Sequence, residues 1–355
     1  MPKASQLELF NSIVRHMPAE EFLYYMQFTS AVEEKLRSAL NVPTSANLKE
    51  HFGMYRPVYV GIKAPSERVA PDFSRYYEEI ARPANSFINE LGVLEIPGSM
   101  HHFTSFVSPL RNAETLTDIE DFPFPNVKEY TSDHMCEEVR SAHSNGLVAA
   151  CWAGHMYEDA WQIRGYEQFL MDMISEPAIC EFILDRLFEN NLARAVAGAR
   201  AGVDVIMTGD DVANQKAMMF NIDLWRMLIK PRWAKIYAAA RDLNPNVQIW
   251  YHSDGNIEDI IHDLIDIGIT ILNPVQPECL DVAKIKREYG KDLVFDGTIG
   301  TQTTMPFGTP EQVKAEIDDR KLTVGVDGAL IISPTHILEP DVPTENIMAF
   351  LEAAR

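Results

Sequence analysis

Eight short apolar runs, separated along most of the chain by amphipathic stretches, constrain the fold more than any other feature of this sequence. They fall at 57–62 (PVYVGI), 92–96 (GVLEI), 147–152 (LVAACW), 204–207 (DVIM), 247–251 (VQIWY), 269–272 (ITIL), 293–295 (LVF) and 329–332 (ALII). Helical spacing of apolar residues marks 167–172, 178–199, 222–242, 257–267 and 310–318 between the later runs. Strands that alternate with helices must pair in parallel, and eight of them close on themselves more naturally than they stay open. The expected fold is α/β, a single (β/α)8 TIM-type barrel formed by one domain over 1–355. Residues 5–40 carry apolar residues at three- and four-residue spacing before the break NVPTSAN, which predicts a helical N-terminal extension over 1–50. The stretch 97–125 is too long for an ordinary barrel loop and is expected to lie over the mouth.

Charge narrows the partners. The chain holds 52 acidic against 31 basic residues, a formal charge of −21, with no long basic run to offset it. Nucleic acid and anionic membrane surfaces are therefore repelled rather than recruited. No basic segment followed by an apolar core opens the sequence, and no eighteen apolar residues run together, so neither a signal peptide nor a membrane span is expected. Cys136, Cys151, Cys180 and Cys279 form no CxxC pair, which fits reduced thiols in a cytoplasmic protein. P-loop, GxGxxG and GxSxG patterns are missing, so kinase, dehydrogenase and hydrolase readings of those types have no support.

In a barrel, polar residues at strand carboxyl ends converge on one mouth. The run at 247–251 ends in His252, Ser253, Asp254 and Gly255; taken alone, the stretch reads Asp254 as an N-cap of the next helix before it reads it as a ligand. His155, Tyr157 and Glu158 follow the third run, Asp210 and Asp211 the fourth, Asn273, Gln276 and Cys279 the sixth, Asp296 and Gln302 the seventh, and His336 the eighth. Cys279 stands open between ligand and half-buried thiol, Tyr157 between pocket wall and helix packing, and Gln276 and Gln302 between ligand orientation and loop bracing. On the long loop, His101, His102, Phe103, Arg111 and Asn112 combine a ring surface with hydrogen-bonding groups; they suit a small polar ring or simply cover the rim.

The segments GDDVANQ, YHSDGN, NPVQPE, FGTPEQVKAEI and LIISPTHILEPDVPTENIMAFLEA, in this order and spacing, resemble the uroporphyrinogen decarboxylase superfamily, whose members include decarboxylases and corrinoid-linked methyltransferases. In its methylcobamide methyltransferases a His-x-Cys and a distant Cys hold zinc, and the resemblance places those ligands at His252, Asp254 and His336. The histidine is kept and both sulfurs are replaced, which removes the soft set that activates a thiol acceptor. Two histidines and a carboxylate still make a competent set for zinc, ferrous iron or manganese. The arginine-rich RQAGRY-like segment of the decarboxylases is missing; the corresponding first strand reads RPVYVGIKAP.

The resemblance thus implies a methyltransferase or O-demethylase that moves a methyl group from a small methoxylated or methylated compound to the cobalt of a corrinoid. The Asp-x-His-x-x-Gly signature of corrinoid carriers is missing, so a separate corrinoid protein is the implied partner, and pairing of two barrels in a homodimer is a further implication of the family. Loss of an alkoxide or phenoxide at neutral pH needs its charge neutralised, either by a metal on the oxygen or by a proton from Glu158, Asp210 or His155. Two other readings stand beside this one: decarboxylation of a carboxylated substrate, and a ligand-binding barrel without chemistry.

Overall fold

The computed structural model describes residues 4–18, 20–98 and 104–355. Eight of its strands form one sheet in the order β1 (Leu23–Tyr24), β11 (Leu330–Ile332), β10 (Val294–Asp296), β9 (Ile271–Asn273), β8 (Gln248–His252), β7 (Val205–Gly209), β6 (Ala149–His155) and β2 (Val58–Tyr59). Every neighbouring pair is parallel. The two edges meet where the Tyr55 N–H donates to the Tyr24 carbonyl at 2.7 Å, and a (β/α)8 barrel results.

Two expectations about the strands need correction. The first barrel strand, β1, lies inside the stretch expected to be helical. Helices occupy Gln6–Ile13 and Ser30–Leu40, and the chain between them extends to pair with β11. Conversely, the run at 92–96 is not a barrel strand. It belongs to β4 (Leu94–Pro97), the centre of a separate antiparallel sheet with β3 (Phe87–Ile88) and β5 (Thr104–Val107). A GVLEI run alternates only briefly, and its partners rather than its own pattern decide which sheet it enters.

Alternation along the strands builds two apolar layers. Ile206, Ile249, Tyr251, Leu272, Phe295 and Ile332 point outward under the helices and are fully buried there. Ala150, Val205, Ile271, Val294 and Ile331 point inward and are closed from below by Phe10 and Ile13 of the N-terminal helix. These two side chains are each 1% exposed, and their burial stabilises the plug by roughly 1.5–3 kcal/mol apiece. Ser5 and Glu8 form a capping box that fixes where that helix starts. Above the plug the inward positions turn polar, which opens the lumen toward the carboxyl ends of the strands. Among the described residues no helix is long and apolar enough to cross a membrane.

Candidate active site at the barrel mouth

A cavity of about 410 Å³ runs along the barrel axis, and His155, Glu158, Asp211, His252 and His336 stand in its wall. A second cavity of about 820 Å³ adjoins it and shares His336, with Asp254, Gln276 and Gln302 also in its wall. Six strand ends supply these groups, as parallel barrels dictate.

His252 is inward on β8 because Trp250 and Gln248 are, two and four positions earlier. Its Nδ1 donates to Asn273 Oδ1 at 2.7 Å, and its ring stacks on Trp250 with centroids 5.7 Å apart and planes 11° apart. Asn273 is oriented in turn by donating Nδ2 to the Asp296 carbonyl at 3.1 Å. With Nδ1 committed, Nε2 is the atom left for a ligand, and Asp211 Oδ1 lies 3.6 Å from it. Asp254 turns its backbone N–H to the same Oδ1 at 2.8 Å, while its Oδ2 lies 3.9 Å from His336 Nε2. Donor atoms of Asp211, His252 and Asp254 lie within 4.8 Å of one another.

The N-cap alternative for Asp254 is not what the chain does. The following helix begins at Glu258, whose N–H is taken by Asn256 Oδ1 at 3.1 Å. Gly255 makes the turn at φ +85°, and a Cβ there would sit 2.6 Å from the Asn214 carbonyl oxygen, so the sharp exit of the chain from β8 requires glycine.

Donor spacing tests whether this group suits a divalent ion. Tetrahedral bonds of about 2.1 Å place neighbouring donors about 3.4 Å apart; here His252 Nε2 and Asp211 Oδ1 are 3.6 Å apart, and the donors of all three residues lie within 4.8 Å of one another. Electrostatics agree. Burial pushes the Asp211 carboxyl up and the nearby Glu158 and Asp254 push it further, against the pull of His252. Burial disfavours charge on His252, yet Asp211 and Asp254 raise its pKa. Carboxylates outnumber imidazoles here, and a cation relieves that excess.

His155 reaches the mouth through a β-bulge. The register of β6 on β7 shifts between Trp152 and Gly154, so His155 takes the inward position that strict alternation assigns to Gly154. His155 Nδ1 faces the Gly209 carbonyl at 2.7 Å and Glu158 Oε2 at 2.9 Å. Burial lowers the His155 pKa, but the hydrogen bond and charge of Glu158, with Asp159 and Asp210 beyond, carry it up to about 10. The same contact holds Glu158 below its usual value against the effect of burial. The folded pKa of His155 exceeds the usual histidine value of about 6.5, so its contribution to stability is full below about pH 6.5 and is lost as pH rises through 10. Denaturant melts of wild type and His155→Gln should therefore differ most near pH 6.5 and converge toward pH 10. A difference independent of pH over that range would contradict the ion pair.

The other candidates separate clearly. Asp210 is fully buried, and Oδ1 accepts the N–H groups of Met156, Tyr157 and Glu158 at 2.7, 2.7 and 3.2 Å. Its Oδ2 accepts from Trp233 Nε1 at 3.0 Å, so the carboxylate caps a helix rather than facing the cavity. Tyr157 is buried between Phe169 and Phe220. Cys279 packs against the core outside the Asp211, His252 and Asp254 group, and burial raises its thiol pKa. Gln276 braces the Gly255 N–H at 3.2 Å, and Gln302 accepts from Gln215 at 2.6 Å. Arg111 donates to the Ser108 carbonyl at 2.9 Å and lies over the Tyr77 ring, and Asn112 is exposed; neither lines the two cavities. His101, His102 and Phe103 lie outside the described residues. The sequence places Asp211, Asn273 and Asp296 at strand ends without giving them a role, and Trp250 only within an apolar run.

A (β/α)8 barrel with ionisable groups gathered at the strand carboxyl ends is the architecture of an enzyme. The uroporphyrinogen decarboxylase (URO-D) family model matches residues 111–355, and the chain belongs to that family. A uroporphyrinogen decarboxylase from Hydrogenobaculum sp. (strain Y04AAS1) is 25% identical over 187 residues, 52% of this chain and 47% of the relative. The chain thus spans about half the length of the curated relative it matches. A solved methyltransferase from Methanosarcina mazei superposes with a TM-score of 0.68 at 19% identity, covering 99% of this chain and 98% of its own, a likeness of fold.

Proposed function

We propose that this protein is a corrinoid-dependent methyltransferase, which takes a methyl group from a small methoxylated or methylated compound and delivers it to the cobalt of a corrinoid on a separate protein in the cytoplasm. The observation that carries this reading is the His252 group: an imidazole with its tautomer set by Asn273, two carboxylates within reach of Nε2, and His336 beyond, all at the open end of a ligand-sized cavity. His252, Asp211, Asp254 and His336 would hold zinc or another divalent metal, which supplies Lewis acidity to the departing oxygen. Hard carboxylates and imidazoles suit an oxygen leaving group better than a thiol.

The chain's own residues account for the rest of the chemistry. Asn273 and Trp250 hold the His252 ring in one orientation, and the second carboxylate, Asp254, stays at the rim beside His336. His155, kept protonated by Glu158, holds a proton on the nitrogen that Glu158 and Gly209 leave open. Its pKa of about 10 lies near that of a phenol, about 10, which suits proton sharing with a developing phenoxide. Phe10, Ala150, Val205, Ile271 and Ile331 give the lumen an apolar floor.

The test supplies metal-loaded protein and free cob(I)alamin with a panel of methoxyphenols, and follows conversion of cob(I)alamin to methylcobalamin by absorbance. Turnover dependent on donor and enzyme is the expected result. No methyl transfer, together with carbon dioxide release from a carboxylated substrate, would replace this reading with decarboxylation.

A further inference from the structure

The axial cavity that His252 lines also holds a carboxylate that the mouth chemistry does not use. Asp296, at the inward end of β10, is 3% exposed. Its Oδ2 accepts from Trp250 Nε1 at 2.8 Å and from Tyr25 Oη at 3.2 Å, and its Oδ1 accepts from Ser333 Oγ at 3.1 Å. All three donors are neutral. The other acids of the lining have imidazole neighbours, Glu158 at His155 and Asp211 at His252. Lys49, the one lysine or arginine in the lining among the described residues, has its pKa lowered by burial and also borders the adjoining cleft beside Glu33 and Arg37. Asp296 is therefore a desolvated carboxylate held by hydrogen bonds without an ion-pair partner among the described residues.

The surface around it is aromatic. Tyr25, Tyr55, Tyr59, Trp152 and Trp250 all line the same cavity. Tyr59 is 59% exposed and Trp152 39% exposed although both face the lumen, so a large area of ring surface awaits cover from a ligand. Trp250 and Tyr25 turn their N–H and O–H edges to Asp296, while the uncovered rings of Tyr59 and Trp152 line the same cavity; a buried carboxylate and open ring surface in one cavity attract an organic cation, through charge from the first and ring quadrupoles from the second. An anionic or purely apolar ligand gains nothing from Asp296 and leaves it without an ion-pair partner.

We propose that the axial cavity selects a ligand bearing an ammonium group, with Asp296 as its counter-ion and the Tyr59 and Trp152 rings in the same cavity. Only the identification of this ligand with the methyl donor rests on the methyl-transfer reading; on that reading the donor is a methoxylated amine, its ether oxygen near His252 and its ammonium toward Asp296. Burial raises the Asp296 carboxyl to about 6, against the hydrogen bonds from Trp250, Ser333 and Tyr25 and the charge of His252. Trp250 links the two stations, since it bonds Asp296 through its indole nitrogen and supports His252 on its face.

The experiment compares 4-methoxyphenethylamine with 4-methoxyphenethyl alcohol by isothermal titration at pH 7.5, in the metal-loaded protein. The amine should bind at least about tenfold tighter than the alcohol. Asp296→Asn should bring the amine down to the alcohol's affinity and leave the alcohol within about twofold of its wild-type value. Equal affinities in the wild type, or an amine preference that survives in Asp296→Asn, would overturn the proposal. If that variant fails to fold, the wild-type comparison still decides, and Tyr59→Leu, at an exposed ring, should weaken the amine more than the alcohol. Both ligands are also offered as methyl donors to cob(I)alamin. Transfer from both with no amine preference removes the cation site and leaves methyl transfer intact; amine-selective binding with no transfer from any donor removes methyl transfer and leaves the cation site intact.

Discussion

Changing His252 to alanine should empty the site of divalent metal and lower methyl transfer by about a thousandfold or more. Among the described residues nothing nearby replaces the lost nitrogen: His336 Nε2 lies 3.9 Å from Asp254 and serves the other side of the group. Asn273→Ala should be milder, with metal bound about 10- to 100-fold more weakly, because the imidazole remains but loses the partner that fixes its tautomer. Elemental analysis of protein purified without chelator reads the first result directly, and zinc competition titration the second. His336→Ala and Asp211→Ala separate the contributions further. Loss of metal in Asp211→Ala but not in His336→Ala would place the ion wholly between β7, β8 and their loops; loss in both would place it across the mouth. Metal retained at wild-type stoichiometry in His252→Ala would sink the metal assignment and leave His155 as the group that meets the leaving charge.

What the sequence disclosed about this site follows from how far each signal is local. β8 announced itself, because WYHSDG ends an apolar run in polar residues and a glycine, and the same local logic found β7, β9, β10 and β11. β1 did not, because two residues, Leu23 and Tyr24, carry too little alternation to outweigh the helical spacing on either side; its pairing with Ile331 and Ile332 decides its state. His155 was legible as a residue near a strand end, but its inward direction depends on the bulge before Gly154, which alternation alone does not foresee. Asn273 and Asp296 were visible as strand ends, and their roles were not, since those roles are bonds to His252, Trp250 and Tyr25 on other strands. Cys279 drew notice as a sulfur, and the fold places it among apolar neighbours instead.

Asp210 carries the second large expected effect, and on stability first. Asp210→Ala should destabilise the protein by roughly 4 kcal/mol or more, as read by denaturant melts. The substitution strips the acceptor from the N–H groups of Met156, Tyr157 and Glu158 and from the Trp233 indole, in a region closed to water. Part of that loss is offset, because burial raises the Asp210 carboxyl to about 7 and the fold therefore works against its charge. Asp210→Asn should cost less: an amide oxygen can keep the backbone N–H groups, while its NH₂ then confronts the indole N–H. Turnover should fall in both variants in proportion to displacement of the helix Tyr157–Arg164, which carries Glu158 and with it the proton on His155. The competing role, direct proton donation by Asp210 to the ligand, predicts a different pair of results: Asp210→Asn would lose turnover at unchanged stability. A stable, inactive Asp210→Asn would move the acid from His155 to Asp210, whereas a destabilised variant with residual turnover assigns Asp210 to holding the helix that positions the acid.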